Sequence, residues 1–238
     1  MGTGCMNDAR GMCLAELAIG IAVAILVLGG LLAVLNLVQS VVGGKQRTIV
    51  QQQDVRLGLE VLEQEIRLAT AQSVFVATPT TVEFAANLHG RRTNTTATVV
   101  PGQSILPVLD GSGWGKGKRV AICKGQICET HRLSTEGQQN QFVLEEPIEG
   151  TFPPGASVEL NNRVVYYTKG NDTGTLSLMR MVDGGANVLI GELEQIAFEY
   201  RDKYGRTAVV PSHVARVRID IKPRYKWKDD TRSIALRS

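Results

Sequence analysis

The stretch LAIGIAVAILVLGGLLAVL, residues 17–35, holds nineteen residues without one polar side chain. As an α-helix it rises about 28 Å, close to the roughly 30 Å hydrocarbon core of a bilayer. Asn36, Gln39 and Ser40 follow it, then Gly43-Gly44, Lys45 and Arg47. A signal anchor that merely tethers a domain is the plain reading of such a run. A cleaved secretory signal fits worse: its apolar region spans only about 7–15 residues, and no small-x-small cleavage site follows here. Glu16 opens the run, directly after Cys13, Leu14 and Ala15. A carboxylate inside a membrane helix costs on the order of 2–3 kcal/mol, so it ordinarily has a partner or a task. Near the helix N-terminus it can snorkel to the interface, where the positive end of the helix favours it. That accounts for its being tolerated, not for its presence.

Beyond Gly43-Gly44 the pattern becomes amphipathic. Val55, Leu59, Leu62, Ile66 and Ala69 step by four and three, one face of a helix, while Arg56, Glu60, Glu63, Glu65 and Arg67 mark the opposite face. The spacing predicts one helix from Leu14 to about Ala69, apolar all round in its first half. A coiled coil is the competing reading, but about two heptads is short for one. From Gln72 onward the signals are short strands, at residues 73–76, 81–85, 119–123, 127–132, 141–145, 163–168, 175–181, 195–201, 214–222 and 233–236. Val217, Ile219 and Ile221 alternate with Arg218, Asp220 and Lys222, a half-buried strand. Residues 161–200 read as an antiparallel meander with Gly-rich turns. Residues 87–118, rich in Gly, Thr and Pro, read as a mobile loop.

Composition places the 238-residue chain among ordinary globular proteins, with 43% hydrophobic and 21% charged residues. The net charge of +3 does not mark a nucleic-acid binder. It hides an asymmetry: residues 201–238 hold eleven Lys/Arg against four Asp/Glu, and the first 200 hold 15 against 19. No catalytic constellation stands out. Ser104 lacks the second glycine of a nucleophile elbow, and GSGWGKGK fails the phosphate-loop spacing. His89, His131 and His213 are scattered. Asp110 and Asp229-Asp230 lack the spacing of a calcium loop. The basic end, Arg216, Arg218, Lys222, Arg224, Lys226 and Lys228 with Tyr225 and Trp227 interleaved, suits either single-stranded DNA or a solvated strand edge facing acidic neighbours.

The N-terminal residues carry a resemblance. Gly11-Met12-Cys13-Leu14-Ala15-Glu16-Leu17 resembles the class III signal of type IV prepilins and type II secretion pseudopilins. VVYY, TLSLMRMVDGG, QIAFEYRD and TRSIALRS are similar to the C-terminal sheet of PilW-type minor pilins and of minor pseudopilin J. The chain departs from the pattern in a leader with one Arg and one Asp, and in Cys13 where Thr is commoner. Lys45 and Arg47 beyond the run also give no charge bias toward a cytoplasmic N-terminus.

The resemblance implies cleavage between Gly11 and Met12 by a prepilin peptidase, N-methylation of Met12, and subunit docking through Glu16. It implies an α+β, pilin-like fold: leader 1–11, membrane or filament-core helix 12–42, amphipathic helix 43–71, and an antiparallel β-rich head 72–238. The expected role is a non-enzymatic minor pilin or pseudopilin, held in the inner membrane with its head in the periplasm and passing to a filament tip. No cofactor or metal is expected. Partners would be the peptidase, other minor and major subunits and the inner-membrane assembly platform. The rivals are a DNA-binding pilin of a competence filament and a membrane-anchored periplasmic enzyme. In an oxidising periplasm Cys123 and Cys128, at hairpin spacing, read as a disulfide, with two separate buried thiols as the alternative. Cys5 would leave with the leader, and Cys13 would lie at the membrane edge.

Overall fold

The computed structural model describes residues 14–125, 127–172, 174–224 and 230–237. One long helix, α1 (Leu14–Leu68), precedes thirteen strands: β1 (Val74–Thr78), β2 (Thr81–Ala86), β3 (Arg92–Asn94), β4 (Ile105–Pro107), β5 (Arg119–Lys124), β6 (Ile127–Arg132), β7 (Gln141–Val143), β8 (Ser157–Leu160), β9 (Asn162–Gly170), β10 (Leu176–Val182), β11 (Gly185–Arg201), β12 (Arg216–Pro223) and β13 (Asp230–Ala235). The architecture is α+β, an apolar N-terminal helix followed by an antiparallel, sheet-rich domain. Two units divide between Val50 and Gln51.

In the first unit the side chains of residues 17–39 are exposed on every side of the helix. The second unit begins with the amphipathic part of α1. Its stripe of Val55, Leu59, Leu62, Ile66 and Ala69 is buried, as the four-and-three spacing predicts. The stripe packs on a seven-stranded sheet of order β1-β2-β9-β10-β11-β12-β13, in which every neighbouring pair is antiparallel. Strand alternation supplies the other half of this core. Ile196, Phe198 and Tyr200 on β11, and Val217, Ile219 and Ile221 on β12, are buried, whereas Glu199, Arg201, Arg216 and Lys222 are exposed. The β10–β11 turn is Asp183-Gly184, with φ of 50° and 98°. Positive φ at both central positions is the hairpin geometry that matches strand twist, and Asp and Gly are residues that adopt it.

Gly58 sets the closeness of helix and sheet. A Cβ at this position would stand 2.3 Å from Cγ1 of Ile190 and 3.3 Å from the Leu189 carbonyl. Alanine gains about 1 kcal/mol over glycine in a helix interior. Overpacking a rigid core costs about 1–3 kcal/mol, and Ile190 is wholly buried. The clash should win. Gly58→Ala is expected to lower the melting temperature by up to about 8 °C, at 2–4 °C per kcal/mol for a net loss of up to about 2 kcal/mol. A thermal melt equal to or above the parent's would show that Ile190 yields freely.

Residues 87–161, between β2 and β9, form a second β-lobe. Its sheets have the orders β3-β8-β5-β6 and β4-β7, around a core that includes Trp114, Phe142, Phe152, Ile122 and Val158. This corrects the expectation of a mobile loop at 87–118. β3 and β4 lie inside it, and Thr93, Val99, Leu106, Val108 and Trp114 are buried. Strands of three residues place one side chain inward each, too few to show a period of two. The lobe is fastened to the main sheet at the β10–β11 turn, where Asp183 accepts from Lys118 Nζ at 2.8 Å, Asn162 Nδ2 at 2.9 Å and the Arg163 N–H at 3.0 Å. Burial alone would raise the Asp183 carboxyl; these three donors outweigh it and hold its pKa below the ordinary value.

Candidate functional site

The residues that the sequence singles out fall in three places. At the N-terminus, Gly11, Met12, Cys5 and Cys13 lie outside the described residues, and Glu16 is the third residue of α1. Residues Leu17–Gln39 form the one helix, among those described, that is long and apolar enough to cross a membrane. Twenty-three helical residues rise about 34 Å, which covers the hydrocarbon thickness. A helix also satisfies its own backbone hydrogen bonds, the condition for entering lipid.

The second place is the β5–β6 hairpin. Lys124 pairs with Ile127 and Cys123 with Cys128 in register, and a disulfide joins the two cysteines across the strands. Their Cα atoms are 4.2 Å apart, near the closer of the two spacings of an antiparallel ladder. Closing so short a loop adds about 2 kcal/mol in the chain-entropy account. On the same strand, buried His131 turns Nε2 toward Glu129 Oε2 at 3.1 Å, while its Nδ1 makes no hydrogen bond. His89 and His213 are exposed. Among the described residues no group of three or more His, Cys, Asp or Glu side chains could hold a metal ion. Asp110 instead caps its own turn, accepting from the Ser112 N–H at 2.9 Å. Trp114 of the GSGWGKGK segment is tilted against Phe142, with ring centroids 4.9 Å apart.

The third place is the basic C-terminal part. Tyr225, Lys226, Trp227, Lys228 and Asp229 lie outside the described residues. The remaining cations are interleaved with carboxylates on the outward face of the sheet. Arg218 lies 3.3 Å from Asp220 and 3.8 Å from Glu199, Arg201 lies 3.7 Å from Glu199, and Lys222 lies 2.9 Å from Glu194. Beside them Tyr204 is 72% exposed, with Lys203 Nζ 5.0 Å and Arg206 Cζ 5.8 Å from its ring centroid.

A fourth cluster escapes the sequence reading and corrects it. Glu65, expected on the solvent face of the helix, is only 12% exposed. Arg180 grips it with two nitrogens, Nε at 3.1 and 3.0 Å from the two carboxylate oxygens and Nη2 closer still. The Tyr166 hydroxyl donates to the same carboxylate. Burial, with the Glu65 charge beside it, holds the Tyr166 hydroxyl far above the ordinary phenol range, and the hydrogen bond to Glu65 raises Arg180 further. The signal was present in TLSLMRMV. Arg180 stands opposite Tyr166 in register, two residues from the buried Leu178, so it shares the core face. An arginine in that position needs a carboxylate from whatever packs on the sheet. Glu65, one residue before the buried Ile66, supplies it. No family model matches this chain, and no curated protein and no solved structure matches it.

Proposed function

We propose that this chain is a minor pilin or minor pseudopilin, a non-enzymatic subunit that primes or caps a type IV pilus or a type II secretion pseudopilus. The observation that carries the reading is the order of signals at the N-terminus. Gly11-Met12 and the carboxylate of Glu16 stand immediately before a helix long and apolar enough to cross a membrane, and that helix leads into an antiparallel sheet-rich head. In this reading prepilin peptidase cuts before Met12, the new amine is methylated, and the subunit waits in the inner membrane with its head in the periplasm. Glu16 then neutralises the Met12 amine of a neighbour in the filament core. A disulfide-closed hairpin suits an oxidising compartment. The DNA-binding alternative is weaker, because Glu199, Asp220 and Glu194 beside the basic side chains would repel phosphates.

Mass spectrometry of the protein from cells with an active prepilin peptidase should find Met12 at the N-terminus, carrying one added methyl group. Recovery of the chain with residues 1–11 still attached would overturn the proposal.

A further inference from the structure

Strand β13 pairs with β12 alone, and among the described residues its other edge has no partner strand. The bridge between Thr70 and Arg237 closes that edge only just past the strand's end. Six residues of open edge are enough to template another strand, which proteins ordinarily prevent with bulky charges or bulges. Here the cation of β13, Arg232, lies on the inward face, opposite Ile219, and the outward face carries no charge. Register places Ala235 beside Arg216, Ser233 beside Arg218 and Thr231 beside Asp220. The outward side chains of β13 are therefore short, and they form a step beside the long arginines of β12. The step is an open groove lined by Arg201, Tyr204, Arg216, Arg218, Thr231 and Ser233.

The charge of the groove is unbalanced in a specific way. Arg201 and Arg216 are direct cross-strand partners, a like-charge pairing that costs stability. Arg216 makes no ion pair among the described residues, whereas Arg218 and Arg201 already lean on Glu199. An occupant that brings carboxylates to Arg216 relieves the repulsion. A phosphodiester chain brings anions too, but it would also meet Glu199, Asp202 and Asp220. A polypeptide can place a carboxylate at Arg216 and an uncharged residue beside Asp220.

We propose that the open edge of β13 and the adjoining Arg216–Arg218 groove form a docking site for an extended acidic segment of a partner protein, which adds as a further strand. Main-chain hydrogen bonds to β13 supply affinity. Alternate acidic side chains reach across Ala235 and Ser233 to Arg216 and Arg218 and supply specificity. The site stands whether or not the chain assembles into a filament.

The test uses the full-length protein in detergent micelles at low salt, with labelled peptides of about ten residues, enough to span an edge strand. One carries Glu at the two alternate positions that face Ala235 and Ser233 and Thr elsewhere, a second carries Lys at those two positions, and a third is the acidic peptide N-methylated at every second residue. Oligothymidylate of the same length is the fourth probe. The acidic peptide should bind and the basic one should not. Binding should fall roughly tenfold or more on N-methylation, and by a similar factor in Arg216→Ser/Arg218→Ser. Absence of acidic-peptide binding would overturn the proposal. So would tighter binding of oligothymidylate, equal binding of the N-methylated peptide, or indifference to the double substitution. The N-methylated arm needs no protein variant, so it stands even if the double substitution disturbs folding.

Discussion

Glu65→Leu is expected to destabilise the sheet-rich unit by about 2–4 kcal/mol. Removing one member of a buried ion pair costs about 3–5 kcal/mol, because the survivor is left charged in a poor solvent. The figure here is reduced because Arg180 keeps 24% of its side chain exposed and can reach water. Leucine matches the apolar stripe and helix propensity of its neighbours, so neither effect adds to the loss. Two groups lose their partner at once, the Arg180 guanidinium and the Tyr166 hydroxyl. The melting temperature should fall by roughly 4–16 °C, at 2–4 °C per kcal/mol for a unit of this size. Glu65→Gln keeps an acceptor for Tyr166 and should cost less, about 1–2 kcal/mol. The combined variant Glu65→Leu/Arg180→Met removes the stranded charge and should recover much of the loss, since apolar replacements of buried pairs are often neutral. Denaturant melts of the three variants decide the matter. A single variant within 0.5 kcal/mol of the parent, or a double variant no better than the single, would mean the cluster is an ornament of the interface (surface substitutions commonly fall in that range).

The contrast between Glu65 and its neighbours shows what a linear pattern can carry. Val55, Leu59, Leu62 and Ile66 identify the buried face because apolar spacing is periodic and local. Glu65 sits at the margin of that stripe, where the residue type alone argues for solvent. Its partners are 101 and 115 residues away, so nothing near it in the chain announces them. The same division holds in the sheet. β2, β5, β6, β9, β10 and β12 are legible from alternation and turn residues. β3, β4 and β8 are not, since strands of three and four residues are held by pairing across a lobe and by single inward anchors such as Leu106. β11 runs ten residues further toward the N-terminus than its apolar pattern suggests, because Gly185, Ala186 and Asn187 read as turn residues and enter the ladder only through their pairing with β10. At the basic end the sequence shows an excess of cations, but only register reveals that Arg218 and Arg201 share Glu199 while Arg216 faces Arg201. Of the proposed assembly residues, Glu16 alone lies in a described element.

Glu16→Ala should leave the chain in the membrane and out of the filament. The substitution removes a carboxylate from the start of an apolar helix, which relieves a cost on the order of 2–3 kcal/mol, so insertion should be unchanged or improved. Cleavage after Gly11 should persist, because the scissile bond and its small residue are intact. The sheet-rich unit should melt as the parent does, since its core begins at Val55. Assembly is where the loss falls in the proposed role. The methylated Met12 amine of one subunit would enter an apolar core with no carboxylate to meet it, and a stranded buried charge costs about 3–5 kcal/mol. Incorporation should then drop by more than about a hundredfold, at 1.4 kcal/mol per factor of ten. The measurement compares membrane-held protein with protein in sheared filaments or cross-linked tip complexes, in cells that also make the partner subunits. Mass spectrometry of the membrane pool confirms that the variant was processed. A processed Glu16→Ala chain that enters filaments at the parent's level would remove the docking role, and the helix would then be an anchor and nothing more.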